Sequence, residues 1–176
     1  MHKIRIAALL ACAVLLGSCA QNASAPANVY SASHPAPKDN LIVPGQRIGP
    51  IYLGMTAKDL YRTMGTPTSS YSDTSLSLTS YDFGPGNGRN GRPYTDARLT
   101  NGIVTVITTS ERRFHTGNSL TIGSSDLALR ATMGNPACTL PGRLGEQEQY
   151  LEYRNVSFVV RRGVVTFINV AQNNNC

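Results

Sequence analysis

The stretch LGMTAKDLYRTMGTP (Leu53–Pro67) decides the fold, because it returns later in the chain as IGSSDLALRATMGNP (Ile122–Pro136). At constant spacing, the two stretches share a glycine, a leucine, a Thr-Met-Gly run and a proline. The matched positions are Gly54 with Gly123, Leu60 with Leu129, Thr63–Gly65 with Thr132–Gly134 and Pro67 with Pro136. Self-similarity of this kind predicts a duplicated structural unit.

Each stretch is typical of a short amphipathic helix, which we expect over Ala57–Met64 and Asp126–Met133. Thr56 and Ser125 precede these segments, and their hydroxyls can accept the unpaired N–H groups of a first helical turn. Leucine and methionine four residues apart give each helix one apolar face. We therefore expect both helices to pack on something apolar.

The end of each helix is equally clear in the sequence. Gly65 and Gly134 stand where a residue with positive φ is needed, and Pro67 and Pro136 prevent the helix from continuing. We expect the chain to turn into strands directly after these residues.

Strand patterns complete each copy. The similarity resumes where Asn101–Ile107 matches Arg162–Ile168, and Asn101-Gly102 is a strong hairpin signal. The expected strands are Leu76–Phe83, Ile103–Thr109, Gln147–Tyr153, Val156–Val160 and Val164–Ala171. The sequence thus predicts an α+β fold of two tandem repeats, each with a short helical segment packed on a small antiparallel β-sheet. The first copy carries about eight extra residues between Gly84 and Ala97.

The amino terminus resembles a targeting signal. His2, Lys3 and Arg5 precede an apolar run, Ile6–Leu16, which is too short to span a bilayer as a helix. The following Gly-Ser-Cys, ending at Cys19, resembles the bacterial lipoprotein box, in which the cysteine is lipidated. An ordinary signal peptide with an incidental cysteine is the alternative.

These segments divide the chain as follows: signal peptide 1–18, lipidated flexible tether 19–44, first repeat 45–111 and second repeat 112–176. The tether is rich in Ala, Ser, Asn and Pro without an apolar period. By resemblance to sorted lipoproteins, Ala20 after the lipidated cysteine favours the outer membrane. We expect a membrane partner through the lipid anchor, with the protein facing the periplasm.

Charge and hydrophobic content exclude several classes of protein. Hydrophobic residues form 41% of the chain, so wholesale disorder is not expected. The formal net charge is +6, and loss of Lys3 and Arg5 with the signal leaves +4. In a protein that never meets cytoplasmic nucleic acid, this charge indicates a moderately basic surface, so no nucleic-acid partner is expected.

Two cysteines, Cys138 and Cys176, remain after the signal and the lipid site. An even pair in an oxidising compartment favours a disulfide between them. Two free thiols or a metal site are the alternatives, although no nearby Cys or His supplies metal-ligand spacing.

Residues that carry catalytic chemistry are few. His34 lies in the tether and His115 between the repeats, and no serine has a nucleophile-elbow motif around it. Glu146, Glu148 and Glu152 are separated by even numbers of residues, which favours a shared solvent face of one strand over a cation site. We expect no enzyme activity, no cofactor, no metal and no small-molecule substrate.

The glycine-rich segment Gly84–Pro93 lacks a phosphate-loop ending and favours a long hairpin loop. Its Arg89 and Arg92, together with Arg98, are candidate contacts for a partner's acidic patch, a phosphate or a lipid headgroup. A solvated loop with no binding role is the alternative for the Gly84–Asp96 segment.

A family resemblance rests on the pattern Ile51-x-Leu53-Gly54-Met55-Thr56, a helix ending in Met64-Gly65-x-Pro67, and tyrosine-bearing strands. This pattern resembles the BamE/SmpA/OmlA outer-membrane lipoprotein family, here as two modules instead of one. The module is also similar to the tandem repeats of the β-lactamase inhibitor protein. The resemblance covers residues 45–171 and implies a non-catalytic binding scaffold in the cell envelope.

The sequence therefore predicts a cell-envelope lipoprotein that binds or scaffolds another envelope protein, in outer-membrane assembly or integrity. An inhibitor of an envelope enzyme, of the β-lactamase-inhibitor type, is the alternative. A hydrolase acting on cell-wall or lipid substrates is a more distant one.

Overall fold

The computed structural model describes residues 36–86 and 91–172. The predicted signal peptide, Cys19, most of the tether, Arg89 and Cys176 lie outside the described residues. The elements, in chain order, are β1 Leu41–Val43, β2 Arg47–Ile48, β3 Ile51–Tyr52, α1 Ala57–Met64, β4 Ser69–Asp73, β5 Leu78–Phe83, β6 Thr95–Thr100, β7 Ile103–Thr109, β8 His115–Thr116, α2 Asp126–Met133, β9 Cys138–Gly142, β10 Gly145–Tyr153, β11 Val156–Arg161 and β12 Val164–Ala171.

Both predicted helices form with the expected bounds and caps. The Thr56 hydroxyl accepts the N–H of Asp59 at 3.2 Å, and the Ser125 hydroxyl accepts the N–H of Ala128 at 3.1 Å. Each cap satisfies one of the N–H groups that a helix start leaves unpaired.

Gly65 and Gly134 end the helices at positive φ, as predicted, but outside the left-handed helical region. Their (φ, ψ) values are 78° and −158° for Gly65 and 77° and −159° for Gly134. This region is populated essentially by glycine alone. It turns the chain abruptly out of the helix and towards the strand that follows.

The main structural feature is one eight-stranded antiparallel sheet with the order β4-β5-β6-β7-β12-β11-β10-β9. The prediction of small separate sheets is therefore wrong. Strands β7 and β12 pair with each other, Ile107 opposite Val170 and Thr108 opposite Asn169. Left unpaired, both strands would be apolar sheet edges with unsatisfied backbone groups, so their pairing removes two edges at once.

The helices cover one face of this sheet. Leu60 of α1 and Leu129 of α2 are fully buried in a single apolar cluster with Leu99, Ile107 and Ile168. Because side chains alternate along a strand, the residues between these point to the opposite face. That opposite face carries neither helix.

A second, four-stranded sheet has the order β3-β2-β1-β8. Its strand β1, Leu41–Val43, lies in the segment assigned to the tether, so the folded part begins earlier than the repeat boundary at residue 45. Asp39 also belongs to the fold, because its carboxylate accepts two hydrogen bonds from Arg47, at 2.6 and 3.0 Å.

The strand registers correct one detail of the sequence comparison. The 69-residue spacing that relates Leu53–Pro67 to Ile122–Pro136 would also match Tyr81 with Tyr150, but Tyr81 lies opposite Ala97, whereas Tyr150 lies opposite Val159. Tyr81 packs against the apolar core, and Tyr150 lies on the open face. The pairing of β10 with β9 shifts register between Gly145 and Gln149, which adds residues to β10 relative to its neighbour.

Candidate functional site

A groove of about 550 Å³ crosses the sheet face that the helices leave open. Its floor spans the β7–β12 junction: Val106 and Thr108 come from β7, and Phe167 and Asn169 come from β12. The groove therefore exists only because the two halves of the sheet are joined.

Aromatic side chains form one side of the groove. Tyr94, at the start of β6, meets Phe167 edge-to-face with ring centroids 6.1 Å apart. Tyr150 of β10 continues this side, with Val159 between it and Phe167 in the cross-strand row. Burial raises the pKa of the Tyr94 hydroxyl, so Tyr94 remains a neutral hydrogen-bonding group at physiological pH.

Three arginines and one carboxylate line the same groove. The carboxylate, Glu148, is 2% exposed and accepts hydrogen bonds from Arg161 at 2.7 and 3.1 Å. These bonds hold the pKa of Glu148 below its ordinary range. The prediction that this glutamate lies on a solvated face is therefore wrong, because Arg161 covers it.

Glu148 also fixes the rim of the groove. Its second oxygen accepts the N–H of Leu144 at 3.2 Å in the β9–β10 turn. A Cβ added to Gly142 would lie 2.3 Å from Glu148 Cγ, so only glycine fits there. The result is a rigid corner that presents Leu144, 54% exposed, at the rim.

The other two arginines are differently placed. Arg98 lies on β6 at one side of the groove, and Arg143 lies in the β9–β10 turn at the other. Both are exposed, and neither forms an ion pair with the side chains that the structure describes in 36–86 and 91–172. Each side of the groove thus carries a guanidinium outside the salt bridges of the described side chains, although the charge of Arg98 acts on the nearby Asp96 carboxylate.

A polar cross-strand row runs beside the aromatic side. Asp82 and Asp96 lie directly opposite each other on β5 and β6. Asp96 is 7% exposed and accepts a hydrogen bond from the Ser80 hydroxyl. Burial raises the pKa of Asp96; the Ser80 hydrogen bond and the charge of Arg98 oppose this rise in part, and the Asp82 carboxylate adds a smaller contribution to it.

The predicted site residues fall into three groups. Arg98 lines the groove, and Arg92 lines an adjoining one that shares Tyr94, Arg161 and Phe167. Arg89 and Cys176 lie outside the described residues, as does Cys19. Cys138 begins the edge strand β9. Because Cys176 is outside the described residues, the bridge between the two cysteines stays a prediction.

Sequence reasoning missed Tyr94, Arg143, Tyr150, Arg161 and Phe167 as site residues. No motif joins them, because they come from distant parts of the chain and meet only through strand pairing. The alternation of polar and apolar residues assigned Phe167 and Tyr150 to strands, but not to one face.

His115 lies in β8, exposed, with its Nδ1 3.1 Å from the Thr116 carbonyl oxygen, and it does not line the groove. Within the described part of the chain, no group of three or more His, Cys, Asp or Glu residues could hold a metal ion. The described helices include none with the length and apolarity that crossing a membrane requires.

Comparison with known proteins gives distant similarities only. No protein-family model matches the chain, and no curated protein matches it. One similar solved structure is a DUF4309 family protein (YjgB) from Bacillus subtilis, with 12% identity, 72% of this chain and 87% of that chain covered, and a TM-score of 0.48.

Two other similar structures cover less of one chain or the other. An extracellular protein containing a SCP domain, from Bacillus anthracis, shows 6% identity over 68% of this chain and 43% of its own, with a TM-score of 0.47. A putative beta-lactamase inhibitor protein from Streptococcus mutans shows 15% identity over 64% of this chain and 79% of its own, with a TM-score of 0.29. This chain thus spans less than half the length of the Bacillus anthracis protein.

Proposed function

We propose that this protein is a non-catalytic binding module of the cell envelope, and that a partner protein docks in the groove on the open sheet face. The observation that carries the proposal is the composition of this groove. Tyr94, Tyr150 and Phe167 line it beside exposed arginines, and tyrosine and arginine are among the residues that contribute most to protein–protein affinity.

Exposed apolar side chains beside the groove extend the surface. Leu144 lies on its rim, and Leu140, 43% exposed, lies opposite Tyr150 on the neighbouring strand β9. Apolar residues next to aromatic ones favour a protein surface as the partner, because burying them from water supplies the driving force for association.

The finer architecture that we propose is a duplicated BamE-like module. The β7–β12 pairing supports it, because Ile107 faces Val170 and Thr109 faces Ile168. The sequence comparison matches Ile107 with Ile168, so the contact is self-complementary, as in a two-fold dimer of identical units. The groove would then lie at the pseudo-symmetric junction of two copies.

Anchoring through a lipid on Cys19, at the outer membrane and facing the periplasm, completes the proposal. Replacing Cys19 with serine should release the protein from membranes and abolish labelling with palmitate, since a chain without its lipids loses stable attachment. Retention of labelled palmitate in this variant would contradict the proposed anchor.

Affinity capture with matched variants tests the groove. Tagged wild type, Phe167→Ala, Tyr150→Ala and Leu127→Ala are recovered from gently solubilised envelopes and compared by quantitative mass spectrometry. Leu127 is 80% exposed on α2, on the helix side, and is the control. We expect one protein whose recovery falls at least tenfold in the groove variants and not in the control, a loss of about 1.4 kcal/mol or more.

Equal recovery of every captured protein by the groove variants, with their folding verified by circular dichroism, would contradict the proposal. If the captured partner is an enzyme and loses activity on binding, the same experiment favours the inhibitor alternative.

A further inference from the structure

We infer that the segment bound in the groove is acidic: a stretch of the partner protein that crosses the strands and places one carboxylate on Arg98 and a second on Arg143. The inference rests on the proposed function, since it names the chemistry of the partner for that same groove. It follows from the charges that the described residues leave unpaired.

The charge on the groove is not balanced within the described chain. Glu148 is committed to Arg161, through two hydrogen bonds and near-complete burial. Arg98 and Arg143 form no salt bridge with a described carboxylate, and Arg98 acts on the nearby Asp96 only through its charge. A guanidinium presents a planar fork of donors that matches a carboxylate with two parallel hydrogen bonds.

The spacing of the two arginines sets the length of the ligand. Arg98 lies on β6 and Arg143 beside β10, with β7, β12 and β11 between them. Neighbouring strands lie about 4.8 Å apart, so the two positions are separated by roughly 19 Å along the groove. An extended peptide covers this distance in about six residues.

The floor of the groove between the two arginines determines which side chains suit the central residues of the bound segment. Val106, Val159 and Phe167 offer apolar contact, and Thr108 and Asn169 offer hydrogen bonds. A segment with acidic residues at both ends and apolar side chains between them fits this pattern. A polyanionic glycan or lipid headgroup fits less well, because it has no apolar groups for this floor.

Synthetic peptides test the chemistry with the full chain. The probe has two glutamates about six residues apart around a leucine-rich centre, and its matched control has glutamines instead. Binding is measured by fluorescence anisotropy against wild type, the double variant Arg98→Gln/Arg143→Gln, and the control Arg154→Gln. Arg154 is an exposed arginine in the β10–β11 turn, outside the lining of the groove.

We expect the glutamate peptide to bind wild type at least tenfold more tightly than the glutamine peptide, and this advantage to disappear in the double variant and to persist in Arg154→Gln. Equal binding of the two peptides, no binding of either up to about 1 mM, or equal loss in Arg154→Gln would overturn the inference. So would tight binding of anionic phospholipid vesicles that depends on the two arginines and excludes the peptide.

Failure of this inference differs measurably from failure of the proposed function. If the groove variants still lose the captured partner while the arginine double variant retains it, the groove binds a protein but not through acidic residues. If neither set of variants loses the partner, the groove itself is not the binding site.

Discussion

At the residue scale, the two helix-ending glycines carry a strict conformational requirement. A Cβ added to Gly134 meets no atom within 4 Å, so space is not the constraint. The constraint is the backbone, at φ 77° and ψ −159°. We expect Gly134→Ala to lower the free energy of unfolding by about 1–3 kcal/mol.

Gly117→Ala is the matched control for this prediction, because a Cβ there also meets open space and Gly117 is not among the positive-φ glycines. Urea denaturation of both variants gives the comparison. A Gly134→Ala protein as stable as Gly117→Ala would contradict the strain argument.

Asp96 gives a prediction about pH. Burial, with a smaller contribution from Asp82, raises its pKa above the ordinary 3.8 despite the Ser80 hydrogen bond and the charge of Arg98, so its ionisation opposes folding. Asp96→Asn keeps an acceptor for the Ser80 hydroxyl and removes the charge. At pH 7 we expect the variant to be more stable than wild type by a few tenths to about 1 kcal/mol, the size of a like-charge cross-strand interaction.

The sign follows from linkage. Wild type folds best with Asp96 protonated, and that stability is lost as the pH rises through the raised pKa. The advantage of Asp96→Asn should therefore vanish below about pH 4, where wild type is also neutral. Asp73→Asn is the control of opposite sign, since hydrogen bonds from Ser75 lower the pKa of Asp73. An advantage of Asp96→Asn that persists unchanged at pH 3 would contradict this account.

At the element scale, the β5–β6 connection distinguishes the two halves of the sheet. It takes residues 84–94, whereas the β10–β11 turn needs only Arg154 and Asn155. The chain entering this loop and the chain leaving it are in close contact, since a Cβ added to Gly86 would lie 2.0 Å from the Arg92 carbonyl oxygen. Residues 87–90, which include Arg89, connect these two segments in the sequence and lie outside the described residues.

We expect deletion of residues 87–90 to leave the thermal midpoint within a few degrees of wild type, because loop length costs only about 0.6 kcal/mol per doubling. Capture of the partner should weaken if Arg89 contributes a contact, and Arg89→Gln in the full chain should then weaken it comparably. Undiminished capture by the shortened protein, folded as wild type, would remove the loop from the binding site.

Element boundaries were largely predictable where local chemistry determines them. The caps Thr56 and Ser125 and the glycines after each helix set both helix bounds, and Asn101-Gly102 forms its hairpin turn with φ of 52° and 77°. Strands β4 and β9 were not predicted, because SSYSD and CTLPG lack strand periodicity. They form as edges on strands that already exist, so tertiary context overrides propensity.

At the scale of the whole molecule, the pairing of β7 with β12 could not be predicted from the sequence. The β-branched residues of each segment correctly predicted a strand, but no local sequence pattern indicates that these two strands pair with each other. The groove depends on that pairing, which is why only Arg92 and Arg98 of its surroundings were predicted. Site residues gathered by long-range register carry no motif.

One shared core predicts one unfolding transition. Leu60 and Leu129, both fully buried, belong to a single apolar cluster that includes side chains from both halves. We expect Leu60→Ala and Leu129→Ala each to lower the stability of the whole chain by about 2–5 kcal/mol. Hydrogen exchange at β5 and β11 should report the same loss in both variants.

Leu127→Ala, on the same helix as Leu129 but exposed, should change little. Two separate transitions, or loss of protection confined to the half that carries the substitution, would show that the halves unfold independently.

If a partner protein sits in the groove across the joined sheet, site-specific photo-crosslinking in intact envelopes should trap it there. A photoreactive phenylalanine analogue replaces Phe167 or Tyr150 in the groove, and Leu127 on the helix side. The account predicts that both groove positions crosslink to the same protein and that position 127 does not. A protein that crosslinks from position 127, with no crosslink from either groove position, would contradict a partner bound in the groove.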